Sequence, residues 1–196
     1  MNTTLTFYDS DCLSSFLKIN QMHLLKELFN NILIPKQVYD ELTTPDSYWL
    51  VKKNVKLLKK EGFIKIIPIE TNYITLKEYK SMLNGEYGKP IGKGEAAALT
   101  LAMSNNGIIA SNNLKDIKKI AEIKNIPIIT SSIILTALYE KRILSESETE
   151  NIWMEMINKK TKLPEKKFKD YYKNRFKKDL TDFKIKKYYR KLIQTE

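Results

Sequence analysis

The chain has 196 residues, of which 42% are hydrophobic and 10% aromatic, so it can bury the core of one domain. It has one histidine, His23, and one cysteine, Cys12, which excludes a disulfide framework, a thiolate metal cage and a histidine-rich zinc site. Any metal would be held by oxygen, which favours magnesium or manganese. The sequence shows no apolar run of about 18 residues and no signal-peptide pattern. We therefore expect a cytoplasmic protein with no membrane partner.

The formal net charge of +11 is concentrated in the last part of the chain. Residues 158–196 carry 15 Lys and Arg against 5 Asp and Glu, a difference of +10, which leaves +1 for residues 1–157. We therefore predict a nearly neutral body over residues 1–157 and a basic, aromatic-rich helical tail over residues 158–196. A polyanion such as RNA or DNA is the partner that such an asymmetric charge favours.

The first predicted strand, over residues 5–8, stops at Asp9, and apolar residues at helical spacing follow it. Asp9 therefore lies where a strand becomes a helix, and either Asp9 or Ser10 could be a simple N-cap. A strand over residues 32–34 then leads into a helix that has a proline near its first turn. On that helix, Glu41 lies beside the predicted buried stripe.

Further strands and helices alternate along the rest of the body. The helices are predicted over residues 49–60 and 74–83, from Gly92 onward, over 114–123, and after Ser131 or Ser132 as the N-cap. The strands are predicted over 63–69, at a sheet edge because of Pro68, over 107–110, and over 126–130. Strands and helices in this order, with short connections, predict an α/β fold in which helices cover both faces of a parallel sheet.

Carboxylates recur at the junctions between these elements. The candidates are Asp9, Glu41, Glu95 and Asp116, and the carboxyl ends of parallel strands bring such junctions to one edge of the sheet. Glu95 also has a simpler interpretation, because an acid in the first turn of a helix is favoured by the helix dipole. Two carboxylates about 4 Å apart repel by roughly 4 kcal/mol at an effective dielectric of about 20, so they would share a proton or bind a cation.

The tail begins after a predicted helix over residues 145–158 and a break at Leu163-Pro164. It carries an apolar stripe at helical spacing that would lie on a helix rich in lysine: Phe168, Tyr172, Phe176, Leu180 and Phe183. This stripe either docks the tail on the body or stacks on nucleic-acid bases. Both interpretations leave a basic outer face, with Lys173, Arg175 and Lys177 as candidate nucleic-acid contacts. In the body, Lys89 and Lys93 either guide a nucleic-acid strand toward the acids or are ordinary solvated loop residues.

Four blocks of the sequence resemble those of PIN-domain nucleases, and the resemblance covers residues 5–141. The first is Asp9-Ser10-Asp11-Cys12-Leu13, where a strand-terminal aspartate precedes a small hydroxylated residue and an apolar helix. The second is Ile34-Pro35-Lys36-Gln37-Val38-Tyr39-Asp40-Glu41-Leu42, and the third is Gly92-Lys93-Gly94-Glu95-Ala96-Ala97-Ala98-Leu99. The fourth, Ser111-Asn112-Asn113-Leu114-Lys115-Asp116, is similar to the Thr-x-Asn-x-x-Asp block of VapC-type toxins.

This resemblance implies a PIN-like α/β/α sandwich with a basic helical C-terminal extension, and a ribonuclease dependent on Mg²⁺ or Mn²⁺. It implies a toxin paired with a cognate antitoxin. It makes Asp9, Glu41 and Glu95 metal ligands, Asp116 a fourth acid, and Asn113 the residue that orients Asp116 or a metal-bound water. Ser10 and Ser111 would be hydroxyl partners of the ligands.

One position departs from the family pattern, because Asn112-Asn113 stands where many relatives have an aspartate pair. Asp11 could compensate, although we expect its side chain to face away or to cap a helix. The departure leaves a second interpretation, a catalytically weak or inactive nucleic-acid-binding or regulatory protein on the same scaffold. A third is that the aromatic stripe contacts an antitoxin or a second copy of the chain in a homodimer.

Overall fold

Five short parallel strands form the centre of the computed structural model, which describes residues 5–181 and 183–194. The strands are β1 (Thr6–Tyr8), β2 (Ile32–Pro35), β3 (Ile64–Ile67), β4 (Ile108–Ala110) and β5 (Ile128–Ile129). Their order across the sheet is β3-β2-β1-β4-β5, and every neighbouring pair is parallel. The predicted parallel sheet is confirmed, and β3 lies at its edge as Pro68 indicated.

Twelve helices are described, and two of them, α4 and α7, have the predicted bounds. They are α1 (Ser10–Leu17), α2 (His23–Lys26), α3 (Lys36–Thr43), α4 (Trp49–Lys60), α5 (Tyr73–Leu83), α6 (Lys93–Ser104), α7 (Leu114–Ile123), α8 (Ser131–Glu140), α9 (Glu146–Asn158), α10 (Phe168–Asn174), α11 (Phe176–Asp179) and α12 (Phe183–Ile193).

Helices cover both faces of the sheet because alternate strand residues point to opposite sides. Tyr8 and Ile34 pack into one core with α1, α3, α4, α8 and the C-terminal helices. Phe7 and Leu33 pack into a second core with α5, α6 and α7. The α/β/α arrangement expected from the sequence is therefore confirmed.

The caps of two helices decide between alternatives that the sequence left open. Asp9 is the N-cap of α1, since its carboxylate accepts a hydrogen bond from the backbone N–H of Ser10. At α8 the prediction of a serine cap was wrong, because the Thr130 side chain accepts from the N–H of Ile133. Ser131 is engaged elsewhere: its N–H donates to Asn112 Oδ1 at 2.9 Å.

In the C-terminal extension, residues 158–196, the described part of the chain forms three helices where the sequence predicted one. Phe168 and Phe176 of the predicted stripe are buried, but Tyr172 is 36% exposed and its neighbour Tyr171 is fully buried. The break between α10 and α11 falls at Arg175, so the predicted helix is interrupted there. The extension also folds back to the sheet, since the Tyr188 hydroxyl lies 2.7 Å from Thr6 Oγ1.

The buried rings of the extension pack on the end of the body. The Trp153 ring of α9 lies 5.7 Å from the Phe168 ring and 5.2 Å from the Tyr171 ring, centroid to centroid. Docking is therefore the role of these buried rings, and base stacking by them is excluded. The side chain of Phe183 lies outside the described residues. Within the described part of the chain, none of the helices combines the length and apolar character needed to cross a bilayer.

Candidate active site

The carboxyl ends of β1 and β4 bring Asp9 and Ser111 together. The Asp9 N–H donates to the carbonyl of Ala110 at 2.9 Å, which continues the ladder between the two strands for one more residue. The Ser111 hydroxyl then donates to Asp9 Oδ2 at 2.9 Å. Only 1% of Asp9 is exposed, so its carboxylate lies at the base of the site and not on its rim.

Asp11 faces the same site, and the expectation that it faces away was wrong. Its Oδ1 accepts from the backbone N–H of Asn112 at 3.1 Å and from the Ser111 hydroxyl at 3.4 Å. The reason is the entry into α1: Asp9 is extended and Asp11 is already helical, so both carboxylates lean toward the end of β4. The sequence does contain a signal for this role of Asp11: it follows Asp9 by two residues across the junction between a strand and a helix.

Burial raises the pKa of three of these carboxyl groups above their ordinary values. The pKa of Asp9 is raised well above its ordinary value, first by burial and then by the charge of Asp11, while the Ser111 hydrogen bond opposes the shift. Burial likewise raises the pKa of Asp11 and that of Glu95. Like charges held together out of water favour protonation or a bound cation.

Asn113 joins Glu95 to Asp116 at the same edge. Its side-chain amide donates to Glu95 Oε1 and, at 2.7 Å, to Asp116 Oδ2. The other Glu95 oxygen accepts from the Gly92 N–H at 3.0 Å, so both interpretations of Glu95 hold, as helix-capping acid and as site residue. We call Asp9, Asp11, Glu95 and Asp116 the carboxylate edge.

Lys89 forms an ion pair with Asp116. The hydrogen bond from Lys89 is the first cause of the lowered pKa of Asp116, followed by the hydrogen bond from Asn113. Lys89 was predicted as a contact for nucleic acid, and its partner here is a site acid. Asp116 is thus held ionised, whereas Asp9 has a raised pKa.

Asn112, the other residue that departs from the family pattern, has a structural role. Its Oδ1 accepts from the Ser131 N–H and its amide donates to Ser131 Oγ, both at 2.9 Å. These two bonds fasten the end of β4 to the start of α8. An aspartate here would lose the amide donor, so the asparagine is explained by packing of α8 and not by the site chemistry.

Glu41 reaches the site from α3 by way of the first turn of α6. Its Oε1 accepts from the Gly94 N–H at 2.9 Å, next to Glu95 in sequence. A Cβ at Gly94 would lie 2.5 Å from Glu41 Oε2, so glycine is what allows this approach. Glu41 is exposed, unlike Asp9, and it borders the carboxylate edge at the start of α6.

The donor set suits a hard divalent cation, since the four side chains of the carboxylate edge offer only oxygen and repel one another. In residues 5–181 and 183–194, no three acidic, histidine or cysteine side chains are drawn together tightly enough to form a metal site. Two neutral groups stand between the acids: the Ser111 hydroxyl between Asp9 and Asp11, and the Asn113 amide between Glu95 and Asp116. Ser10 has a minor part, with its hydroxyl 3.4 Å from Asp9 Oδ1.

The remaining predicted contacts lie on the surface. Lys93 is exposed at the start of α6, and Lys173, Arg175 and Lys177 are exposed on the C-terminal extension. Arg175 Nε lies 3.7 Å from a carboxylate oxygen of Asp179. Their role toward nucleic acid stays a prediction.

The fold and this edge define an α/β protein whose acids cluster beyond the carboxyl ends of a parallel sheet. The family model DUF3368, described as a PIN domain, matches residues 6–174, and the chain therefore belongs to the PIN-domain family. The match runs past residue 157 and includes all of α10.

Two solved structures resemble the chain more weakly. The structure of VapBC-1 from nontypeable Haemophilus influenzae aligns with a TM-score of 0.47 and 16% identity over 65% of this chain and 98% of that chain. A structure of FitAB bound to an IR36 DNA fragment aligns with a TM-score of 0.45 and 11% identity, covering 65% and 95%. No curated protein matches the chain. The family assignment rests on the family match alone.

Proposed function

We propose that this protein is a metal-dependent endoribonuclease of the PIN type that hydrolyses RNA phosphodiesters at the carboxylate edge. The observation that carries the proposal is the convergence of Asp9, Asp11, Glu95 and Asp116, from the end of β1 and the starts of three helices, around Ser111 and Asn113. Acids gathered at the cost of raised pKa values are typical of a functional site.

Mg²⁺ or Mn²⁺ would be held by Asp9, Glu95 and Asp116, with Glu41 at the rim. When bound, such a cation supplies an activated water and offsets charge on the leaving oxygen. Asp11 provides the additional carboxylate that Asn112-Asn113 lacks, since it shares the Ser111 hydroxyl with Asp9. Asn113 and the Gly92 N–H fix the two oxygens of Glu95, which keeps that ligand oriented.

Lys89 has two roles in this proposal. It pairs with Asp116 in the absence of substrate and lowers the pKa of that carboxyl group, and it is a long, half-exposed cation that can turn to a phosphate when the strand enters. The basic C-terminal extension supplies further attraction for the polyanion, which the carboxylates themselves lack.

The proposed setting is a toxin–antitoxin pair in the cytoplasm. Its support is the similarity of the block from Ser111 to Asp116 to VapC-type toxins. An antitoxin would be encoded beside this chain, and co-expression of the neighbouring reading frame should abolish any growth arrest that the chain causes. A homodimer through the exposed part of the aromatic stripe, such as Tyr172, is a further proposal, and a mass measurement in solution tests it.

Asp9→Asn and Glu95→Gln test the proposed activity. Each should lower cleavage of a fluorescent RNA in Mg²⁺ or Mn²⁺ by more than about 100-fold, because even changes beyond the ligands cost about 10- to 100-fold in metal enzymes. Both variants should keep the wild-type circular dichroism spectrum. Undiminished cleavage by both, or cleavage by wild type in EDTA, would refute the proposal.

Asp11→Asn separates the catalytic proposal from a binding protein without activity. If Asp11 replaces the missing aspartate, this variant should bind Mn²⁺ about 10-fold more weakly by calorimetry and cleave correspondingly more slowly. The second candidate function, RNA binding without hydrolysis, is favoured by the neutral Asn113 amide between two acids. It would be supported if wild type binds RNA but neither Mn²⁺ binding nor cleavage is found.

A further inference from the structure

The first turn of α4 exposes two adjacent aromatic side chains. Tyr48 is 41% and Trp49 is 62% exposed, and their ring centroids lie 6.2 Å apart with an angle of 57° between the planes. Single exposed apolar residues are common on protein surfaces. Two large rings side by side are not, and the other tryptophan of the chain, Trp153, is fully buried.

Lysines continue from Trp49 along one face of α4. Helix α4 has five lysines and no acid in 12 residues. Three of them, Lys53, Lys56 and Lys60, follow Trp49 at steps of four, three and four, the spacing that places residues on one helix face, and all are exposed. We call Trp49, Lys53, Lys56 and Lys60 the α4 stripe. Its length, about 16 Å, is sufficient to follow more than one phosphate of a nucleic-acid strand.

Cations also stand beside both rings. Lys53 Nζ lies 6.0 Å from the centroid of the Trp49 ring, and Lys159 Nζ lies 5.8 Å from that of Tyr48. A cavity of about 380 Å³ opens beside Tyr48, lined among others by Lys18, Lys159 and one acid, Glu155. An aromatic face surrounded by cations is the arrangement that binds a base together with its phosphates.

The loop before α4 links this surface to the site. The Ser47 hydroxyl donates to the backbone carbonyl of Glu41 at 2.8 Å and lies 2.7 Å from Thr44 Oγ1. Lys52 Nζ donates to the carbonyls of Thr44 and Pro45, which ties the loop to α4. The residue that follows Ser47 is Tyr48. The same short loop therefore joins the backbone of Glu41, whose side chain lies at the rim of the site, to the start of α4.

We propose that Tyr48 and the α4 stripe bind single-stranded RNA, namely an unpaired part of the substrate outside the cleavage site. This inference rests on the proposed function. An unpaired base has a free face to stack on Trp49, whereas paired bases are covered by their neighbours, and the lysines of the stripe contact the adjacent phosphates. Stacking and charge do not read base edges, so the surface should accept many sequences.

Fluorescence and anisotropy of the full chain in EDTA test the proposal without cleavage. A short oligouridylate should quench the emission of Trp49, the exposed tryptophan. Trp49→Ala should weaken binding of the labelled oligouridylate by about 10-fold or more, in line with the loss of one stacked base. Trp49→Phe keeps a ring and should bind within about 3-fold of wild type.

Two further variants provide the controls. Tyr73→Ala removes a more exposed ring elsewhere, 78% exposed on α5, and should leave binding unchanged. Lys53→Ala combined with Lys56→Ala should reduce the slope of log affinity against log salt by about 1.4, the value for two phosphate contacts on a single strand. Lys118→Ala, an exposed lysine on α7, should leave that slope as it is.

The results separate this inference from the proposed function. If wild type cleaves RNA and Trp49→Ala binds oligouridylate as well as wild type does, the proposed nuclease activity is supported and the RNA-binding role of the α4 stripe is wrong. If Trp49→Ala binds oligouridylate weakly and wild type does not cleave RNA, the RNA-binding role of the α4 stripe is supported and the proposed nuclease activity is wrong. If Trp49→Ala binds RNA normally but loses dimer mass in solution, the rings contact a second copy and the inference is wrong.

Discussion

The carboxylate edge and the C-terminal extension are opposite in charge, and they also differ in what they contribute to the fold. Three acids of the edge have pKa values raised by burial, so their charged forms are destabilised in the folded chain. The extension buries rings such as Phe168, Tyr171 and Tyr189, and those of its lysines whose side chains the structure describes are exposed. The difference is what the proposed function predicts for acids that bind a cation, and it shows that buried rings of the extension pack on the body.

Loss of a buried ring of the extension should give the largest effect. Phe168→Ala should lower the free energy of unfolding by about 3–5 kcal/mol, measured by urea denaturation, because it removes a ring packed on Trp153 and leaves a cavity. Tyr73→Ala, at an exposed ring, should change it by less than about 0.5 kcal/mol. Equal stability of Phe168→Ala and wild type would show that the extension is an independent appendage. Because buried rings of the extension pack on Trp153, deleting the whole extension should destabilise the body, and this deletion would not be a clean test of RNA binding.

Asp9→Asn should raise the stability of the metal-free chain, whereas Phe168→Ala lowers it. Since the folded pKa of Asp9 is raised, the folded chain binds its proton more tightly than the unfolded chain does, and wild type loses stability as pH rises above about 4. Each pKa unit corresponds to about 1.4 kcal/mol. In EDTA the variant should thus melt above wild type at neutral pH, with the difference shrinking toward pH of about 4. Excess Mn²⁺ should raise the melting temperature of wild type and leave that of the variant unchanged. A variant less stable than wild type in EDTA would mean that Asp9 is primarily a structural cap.

Gly94→Ala should weaken the site with little effect on the fold. A methyl group there would meet the Glu41 carboxylate and push it from the Gly94 N–H. The Glu41 side chain can rotate away, and alanine is favoured over glycine in a helix by about 1 kcal/mol. We expect cleavage to fall by about 10-fold and the urea midpoint to stay or rise. Glu41→Gln, which keeps the shape and loses the charge, is the matched control. Full activity in both variants would place Glu41 outside the site.

The smallest effect is expected from the outer face of the extension. Changing Lys173, Arg175 and Lys177 together to alanine should reduce the slope of log affinity for oligouridylate against log salt by about 0.7 for each phosphate that these side chains neutralise. The free energy of unfolding should stay within about 0.5 kcal/mol of the wild-type value. An unchanged slope would assign nucleic-acid binding to the α4 stripe alone and leave the extension a structural part of the domain.

Sequence reasoning succeeded where the signal is local. The bounds of α4 and α7 follow from apolar residues at helical spacing, and the edge position predicted for the strand before Pro68 is confirmed for β3. It failed for the single helix predicted through the extension. The period of four from Phe168 to Phe176 is a real pattern, but the chain bends at Arg175, and the fully buried ring is that of Tyr171.

The candidate site shows the same division. Asp9 and Glu95 could be predicted as candidate site residues because strand ends and helix starts can be recognised in the sequence. Their common edge of the sheet follows from the parallel topology. Asp11, Thr130 and the pairing of Lys89 with Asp116 were not found. Each depends on a partner that is distant along the chain or on competition for a cap, as with Ser131 held by Asn112.

The sequence by itself determined the order of strands and helices, the concentration of positive charge after residue 157 and the junctions where acids occur, because periodicity, turn residues and charge are local properties. Only the tertiary structure decided that Asp11 joins Asp9 on one hydroxyl, that Asn113 separates Glu95 from Asp116, and that Phe168, Tyr171 and Phe176 of the extension face the core. Those outcomes depend on which distant groups meet out of water, where burial sets the protonation and partner of each polar group.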